Sequence, residues 1–324
     1  MGTLYVLEQD AYLSRDGGVL RVSRRAGREV LLERPLIHVR EVVVLGNTVV
    51  TPSALYALLE SGASVHYLTR GGRYFAHIAP LENKNAPLRL AQYVAHLDPE
   101  RKHALARSFV LGKLQNSLVY ARRHGGDPAE LERYLTLVQR CPDTESLRGL
   151  EGNAARVYFA LLKPRFPLPF AFDGRSKRPP RDEVNSLLSL AYTFLAKEVQ
   201  TALRVAGLDP YLGFLHEVKY GKPALALDLM EEFRPIVADS VVLTLLNKNM
   251  ISLESFEHSR GHPQLNEEGF KQFLRAWEER LSHTVKHPLL KQNLDYRQIL
   301  LAQARLLGKT FSGELLEYPP FTVR

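Results

Sequence analysis

The chain has 324 residues, enough to bury a sizeable core and a length that favours two domains. Its 43 Lys and Arg outnumber 35 Asp and Glu, and the net charge of +8 favours a polyanionic partner, nucleic acid before a membrane surface. The single cysteine, Cys141, excludes a disulfide framework and a zinc site made of several thiolates, and is typical of a reducing, cytoplasmic location.

The first 82 residues alternate between apolar and polar side chains, the two-residue period of half-buried strands. A short helix is predicted after Thr51, which is a good cap, with Pro52 in its first position. A hairpin is predicted over 64–78. The remaining predicted strands are 4–8, 11–15, 19–23, 30–34 and 40–46. Residues 1–82 are therefore expected to form a small β-strand domain.

A linker is predicted at 83–90, and from residue 91 to the end the apolar period is helical. Helix breaks fall at Gly and Pro, and the tail after Gly308 is expected to be loose. Predicted helices cover 99–123, 128–140, 144–163, 182–205, 235–247, 266–285 and 295–307. The predicted fold class is α+β, with a larger all-α domain over 91–324.

The stretch 213–235 gathers side chains that can hold a metal. A helix after the Gly-Lys-Pro break would place Asp228 and Glu231 on one face, at i and i+3, with His216 before it and Arg234 after it. This set could hold a hard divalent cation beside a phosphate. A solvated helix face is the alternative, although the apolar neighbours leave these carboxylates less room at the surface.

Glu151 is a second candidate, beside the apolar stripe of the helix predicted from residue 144. Gly152 follows it. A glycine inside a helix costs about 1 kcal/mol relative to alanine, and its use would be to allow the close approach of a ligand or of another backbone. Judged from this helix alone, Glu151 is better explained as an ordinary flanking charge.

Basic side chains cluster between these two regions. Guanidinium groups suit phosphates, but a solvated loop explains the cluster almost equally well. Lys219 and Lys222 add positive charge near the proposed metal and are candidate DNA contacts. The cluster itself consists of Arg175, Lys177, Arg178 and Arg181.

Other chemistries lack their motifs in this sequence. It contains no P-loop, no dinucleotide fingerprint, no nucleophile elbow and no HExxH helix. A signal peptide and a membrane span are not expected, because no basic N-terminal region precedes an apolar run and no run reaches about 18 apolar residues.

Four helical-domain motifs, together with V-V-L-G-N at 43–47, resemble the family of CRISPR-associated integrases, which insert new spacers during CRISPR adaptation. Each motif alone is weak, but their order and separation are specific. They are L-E-G-N-A-A-R-V-Y-F at 150–159, F-D-G-R-S-K-R-P-P-R-D-E-V-N-S-L-L-S at 172–189, G-F-L-H at 213–216 and L-D-L-M-E-E-F-R-P at 227–235.

The resemblance implies that Glu151, His216 and Glu231 are the metal ligands and the catalytic set. Asp228 matches a nearby acid that supports or shares the site, so the choice between Asp228 and Glu231 as ligand stays open, with Glu231 favoured by its matching position. One imidazole and two carboxylates suit Mg²⁺ or Mn²⁺. The implied reaction is attack by a DNA 3′-hydroxyl on a phosphodiester at the edge of a CRISPR repeat.

The resemblance also implies the DNA contacts and the partners. The DNA is double-stranded, both as spacer precursor and as CRISPR repeat. The N-terminal β domain is expected to form a homodimer, bridged by a small ferredoxin-like partner subunit, without membrane association. The expected DNA contacts are Arg234, Arg175, Lys177, Arg178, Asn185 and Tyr192.

Two other functions fit the same residues. A general metal-dependent nuclease or junction resolvase could use the same ligands. A non-enzymatic DNA-binding scaffold could instead use the acids as structural helix charges.

Overall fold

A computed structural model describes residues 2–26, 29–80, 84–176, 179–258 and 261–323. The chain divides into two compact units, Met1–Glu82 and Asn83–Arg324.

The first unit contains two four-stranded sheets with strand orders β1-β5-β7-β8 and β4-β3-β2-β6. Inward side chains of both sheets and of helix α1 (Pro52–Glu60) form one apolar cluster that includes Leu13, Val42 and Leu58. Thr51 caps α1 by accepting a hydrogen bond from the Ala54 N–H. The strands are β1 (Gly2–Val6), β2 (Ala11–Asp16), β3 (Val19–Arg24), β4 (Val30–Pro35), β5 (Val39–Leu45), β6 (Thr48–Val50), β7 (Ser64–Leu68) and β8 (Tyr74–Ile78).

These elements agree with the predicted strands and helix, and β6 is an addition. This strand has only three residues and pairs in parallel with β2. Alternation over so short a run does not distinguish a strand from a loop.

The second unit is mostly helical, as predicted, with two short antiparallel ladders in addition. One turn of π-helix, Arg234–Asp239, joins α7 to α8. The helices are α2 (Ala86–Leu97), α3 (Pro99–Arg123), α4 (Ala129–Gln139), α5 (Thr144–Leu162), α6 (Glu183–Ala206), α7 (Ala224–Met230), α8 (Ser240–Asn247), α9 (Glu267–Ser282) and α10 (Tyr296–Phe311). The ladders pair β9 (Phe256–Glu257) with β10 (Gln264–Leu265), and β11 (Thr284–Lys286) with β12 (Asn293–Asp295).

Several regions differ from the prediction, including the end of the helix predicted over 266–285, where α9 ends at Ser282 and β11 begins at Thr284. The stretch 83–90, predicted to be a linker, is helical from Ala86. The expectation of a loose tail after Gly308 is wrong, because α10 continues to Phe311 and the tail beyond it is held in the core. Phe321 stacks on Phe233 with 5.6 Å between ring centroids, and its carbonyl accepts a hydrogen bond from the Asn116 amide at 2.8 Å.

Helix α3 is the central support of the second unit, since it contacts α5, α7 and the π-turn. Close packing against α3 requires Gly112, where a Cβ would lie 2.7 Å from Pro320 Cβ and 2.9 Å from Glu232 Cγ. Aspartates cap the three long helices through their first-turn N–H groups: Asp98 on α3, Asp143 on α5 and Asp182 on α6. Within the described ranges, no helix is both long and apolar enough to cross a membrane.

Candidate active site

Asp228 anchors the loop that carries His216. This carboxylate is fully buried in α7, and its oxygens accept the backbone N–H groups of Phe214 at 2.5 Å, Leu215 at 3.0 Å and His216 at 2.8 Å. Its Oδ1 also lies 2.7 Å from His216 Nδ1. The loop passes close to α7 at Gly213, where a Cβ would lie 2.9 Å from Asp228 Oδ2.

This network assigns the proton of the His216 ring. A carboxylate that accepts backbone N–H groups offers no proton of its own, so His216 Nδ1 must be the donor. In the neutral ring, Nε2 then keeps the lone pair that a metal needs. Asp228 is the partner that orients the imidazole, and both of its oxygens already have N–H partners.

Glu231 lies immediately after α7, 1 % exposed, at the centre of the charged cluster. Its Oε2 lies 2.7 Å from Lys113 Nζ, and its Oε1 lies 3.0 Å from Arg234 Nη2 and 3.9 Å from His216 Nε2. The carboxylate of Glu151, on α5, contacts the same Lys113 ammonium. The structure therefore brings the three predicted ligands to one place, with Lys113 between the two glutamates.

The charges of this cluster stabilise one another. Burial disfavours the ionised form of Glu231, but Arg234, Lys113 and His216 together lower its pKa to about 2. Burial also opposes the charge on Lys113, and the carboxylates of Glu151 and Glu231 raise its pKa nonetheless. Glu231 and Lys113 are therefore both ionised at neutral pH.

The donor set fits Mg²⁺ or Mn²⁺, since it combines carboxylate oxygens with one imidazole nitrogen. As the side chains stand, no three His, Cys, Asp or Glu among the described residues could hold an ion. Lys113 gives the physical reason, because its ammonium occupies the space between the carboxylates of Glu151 and Glu231.

A cavity of about 990 Å³ opens beside the cluster. Tyr192 lies in its wall, with the guanidinium carbon of Arg175 5.1 Å and that of Arg234 4.8 Å from its ring centroid. The Tyr192 hydroxyl donates to Asp239 Oδ1 at 2.7 Å and the Tyr158 hydroxyl to Oδ2 at 3.0 Å. Among the described residues, the cations that line the cavity are Lys113, Arg156, Lys163, Arg175, Arg181 and Arg234.

The family described as CRISPR associated protein Cas1 matches residues 4–279. The chain belongs to the Cas1 family. It is 57 % identical to CRISPR-associated endonuclease Cas1 3 of Thermus thermophilus, over all of this chain and 98 % of that relative.

Two solved Cas1 structures share the fold. A Cas1 protein from Thermotoga maritima has a TM-score of 0.85 and 25 % identity, covering 96 % of this chain and 97 % of that one. A chain of a Cas6-RT-Cas1–Cas2 complex has a TM-score of 0.80 and 23 % identity, covering all of this chain and 36 % of that one.

Asn185 corrects one of the predicted DNA contacts of this Cas1 protein. Its side chain is fully buried, and its amide nitrogen donates to the Gly174 carbonyl at 2.9 Å and to Asp182 Oδ2 at 2.7 Å. Its amide oxygen accepts from Ser176 N at 2.9 Å and Arg175 Nη1 at 2.6 Å. Asn185 therefore holds the loop 174–176 in place, and its side chain is not exposed at the surface of that loop.

The other predicted contacts have different positions. Arg175, Tyr192 and Arg234 line the cavity. Lys219 and Lys222 lie in the loop before α7 and are not among the described residues that line the cavity. Lys219 pairs with Glu217 at 2.8 Å. The contact of both lysines with DNA stays a prediction, and Lys177 and Arg178 lie outside the described residues.

Lys113 is a residue of this Cas1 site that the sequence analysis missed, and it lies outside the four motifs. It is only 7 % exposed, on the buried side of α3 that also carries Phe109 and Asn116. Its spacing was the available signal, because Lys113 follows Phe109 by four residues and precedes Asn116 by three, on the same side of the helix. A lysine on a buried helix face needs a negative partner.

Proposed function

We propose that this Cas1 protein is a divalent-metal-dependent DNA endonuclease and integrase that inserts short DNA fragments as new spacers into a CRISPR array. The observation that carries the proposal is the convergence of Glu151, Glu231 and His216 Nε2 beside a cation-lined cavity. The 57 % identical Thermus relative, which is an endonuclease, supports the same class of reaction.

Glu151, His216 and Glu231 are the proposed ligands of Mg²⁺ or Mn²⁺. Once bound, the metal supplies Lewis-acid stabilisation of the charge that develops on the reacting phosphoryl oxygens. Asp228 is assigned to orientation of the His216 ring, because each of its oxygens already accepts N–H groups. These hydrogen bonds support the choice of Glu231, not Asp228, as the proposed ligand.

Arg175 and Arg234 are proposed to hold DNA phosphates. Within the described part of the chain, the buried Nε–H of each guanidinium lacks a hydrogen-bond acceptor. A buried donor without a partner is costly, and a phosphate oxygen entering the cavity would satisfy it. Tyr192, fixed by its hydrogen bond to Asp239, keeps both guanidinium groups against the cavity wall. Contacts of this kind position the DNA without reading its bases.

The proposed reaction uses no protein nucleophile. The 3′-hydroxyl oxygen of the incoming fragment forms a bond to phosphorus at the repeat edge, and the bond to the original 3′-oxygen breaks. One phosphodiester replaces another, and the hydroxyl proton ends on the departing 3′-oxygen or in water. The step therefore needs no nucleotide hydrolysis, consistent with a sequence that lacks a P-loop.

The first unit is proposed to form the homodimer contact. Its outer strands β4 and β8 carry the exposed apolar side chains Val30, Leu32 and Phe75, surfaces that a second protein could cover. A small ferredoxin-like subunit is proposed as the further partner, in line with the fold shared with the Cas1 part of a Cas1–Cas2 complex.

A strand-transfer assay tests the function. A labelled short duplex with free 3′-hydroxyls, a repeat-bearing plasmid and Mn²⁺ should give a covalently joined product at the repeat edge. Reactions with and without the partner subunit show whether joining requires that subunit. Glu151→Ala should abolish joining and retain DNA binding, and Glu145→Ala, an exposed position on the same helix, should join normally.

Other results would favour the alternatives. Metal-dependent cleavage without joined product would indicate a nuclease or resolvase. DNA binding without any metal-dependent chemistry would indicate a scaffold.

A further inference from the structure

Lys113 lies where two proposed metal ligands meet. Its ammonium contacts the carboxylates of Glu151 on α5 and Glu231 after α7, while its own backbone belongs to α3. It is one of the most deeply buried lysines in the described chain, at 7 % exposure. A single buried cation therefore links three separate elements of the site.

The ammonium also lies between the cavity and the deeper ligand. Lys113, Glu151 and Arg234 are among the described residues that line the cavity, whereas Glu231 is 1 % exposed, is not among them, and contacts both Lys113 and Arg234. An ion that enters from the cavity meets Lys113 before it reaches Glu231.

Two carboxylates that share a buried site repel each other unless a cation lies between them. An ammonium supplies one charge and three N–H donors on a flexible four-carbon stem, so it can hold both groups and can also swing away. A divalent ion cannot occupy the same space at the same time. Binding of the metal is thus an exchange, in which the ammonium must leave its two partners.

We propose that Lys113 is a positioning residue that competes with the metal for Glu151 and Glu231, and that it makes metal binding depend on DNA. This rests on the proposed function, since it takes the two glutamates as ligands. A displaced ammonium needs a new anionic partner, and a DNA phosphate in the adjoining cavity provides one. Metal and DNA should therefore each strengthen the binding of the other, because such coupling is reciprocal.

The direction of one effect separates this role from simple support. If Lys113 only held the site together, Lys113→Met would loosen the carboxylates and weaken metal binding. If Lys113 competes with the metal, Lys113→Met should strengthen metal binding in the absence of DNA. Lys113→Arg keeps the charge and should keep both the weaker binding and its dependence on DNA.

The experiment is a Mn²⁺ titration of the full chain, read by electron paramagnetic resonance of free Mn²⁺. Each variant is titrated alone and with a short duplex ending in 3′-dideoxynucleotides, which cannot react. DNA should lower the Mn²⁺ Kd of the wild type by about 5- to 150-fold, the usual range for coupled sites. Lys113→Met should bind Mn²⁺ at least about tenfold more tightly without DNA, and its Kd should change less than about threefold on adding DNA. Lys102→Met removes another lysine of α3 and should behave as the wild type.

An unchanged or weaker Mn²⁺ affinity in a folded Lys113→Met protein would overturn the proposal while leaving the metal site intact. If that variant does not fold, the wild type still decides, because an equal Mn²⁺ Kd with and without DNA overturns the coupling. Failure of the wild type to bind Mn²⁺ under either condition would overturn the proposed metal site together with this role of Lys113.

Discussion

Asp228→Asn tests how the His216 loop is held. Each carboxylate oxygen of Asp228 accepts two N–H groups: Oδ2 from Phe214 and Leu215, and Oδ1 from the backbone and the ring of His216. An amide group in the same place turns one oxygen into an N–H donor, which then faces two other donors. Two buried hydrogen bonds are lost, at about 1–3 kcal/mol each, so the free energy of unfolding should fall by about 2–6 kcal/mol.

Urea unfolding followed by tryptophan fluorescence measures this loss, because Trp277 is the single tryptophan and is buried in the second unit. Mn²⁺ affinity should also fall by about 10- to 100-fold, the usual effect of removing the carboxylate behind a ligating histidine. Glu217→Gln is the matched control, since this exposed neighbour of His216 should change stability by less than about 0.5 kcal/mol.

One result would refute the reasoning. If Asp228→Asn unfolds within about 1 kcal/mol of the wild type and binds Mn²⁺ equally well, the four N–H contacts do not hold the loop.

Three further predictions concern pH, the tail and salt. Burial raises the pKa of Glu232 to about 8, although the hydrogen bond from the Phe321 N–H lowers it. The contribution of Glu232 to stability is therefore complete below pH 4.5, the ordinary pKa of a glutamate, and is lost as the pH rises through 8. Glu232→Gln should therefore show a smaller drop in Tm between pH 6 and pH 9, and an equal drop would contradict this. Phe321→Ala should cost about 3–5 kcal/mol in urea unfolding, whereas Leu316→Ala, at 100 % exposure in the same unit, should cost under about 0.5 kcal/mol; equal losses would contradict a buried tail. Arg175→Ala should weaken DNA binding and flatten its slope against log salt by about 1, and an unchanged slope would remove Arg175 from the DNA surface.

Local signals in the sequence account for the elements of the fold. Alternation over 1–82 predicted the strands, and the helical period of apolar residues predicted α3, α5 and α6, because both patterns involve only neighbouring residues. The same locality explains the errors. Nothing near Phe321 in the chain shows that it stacks on Phe233, so the tail looked loose.

The site divides in the same way. Family motifs were enough to predict Glu151, His216 and Glu231 as a set, since motifs preserve residue types in order. Contacts between distant parts of the chain decide which polar side chains are available to bind a ligand. The sequence shows that Asp228 and Asn185 are polar. Only the tertiary structure shows that the oxygens of Asp228 accept buried N–H groups and that Asn185 supports the basic loop.

Lys113 is the clearest case of what tertiary structure decided. Its charge and its place on α3 are evident from the sequence, but its function depends on α5 and α7 packing against that helix. Electrostatic contacts act through space, and the residues that pair here are far apart along the chain. The sequence alone therefore determined which groups are predicted to bind a metal, and the packing of α3, α5 and α7 decided that an internal cation lies among them.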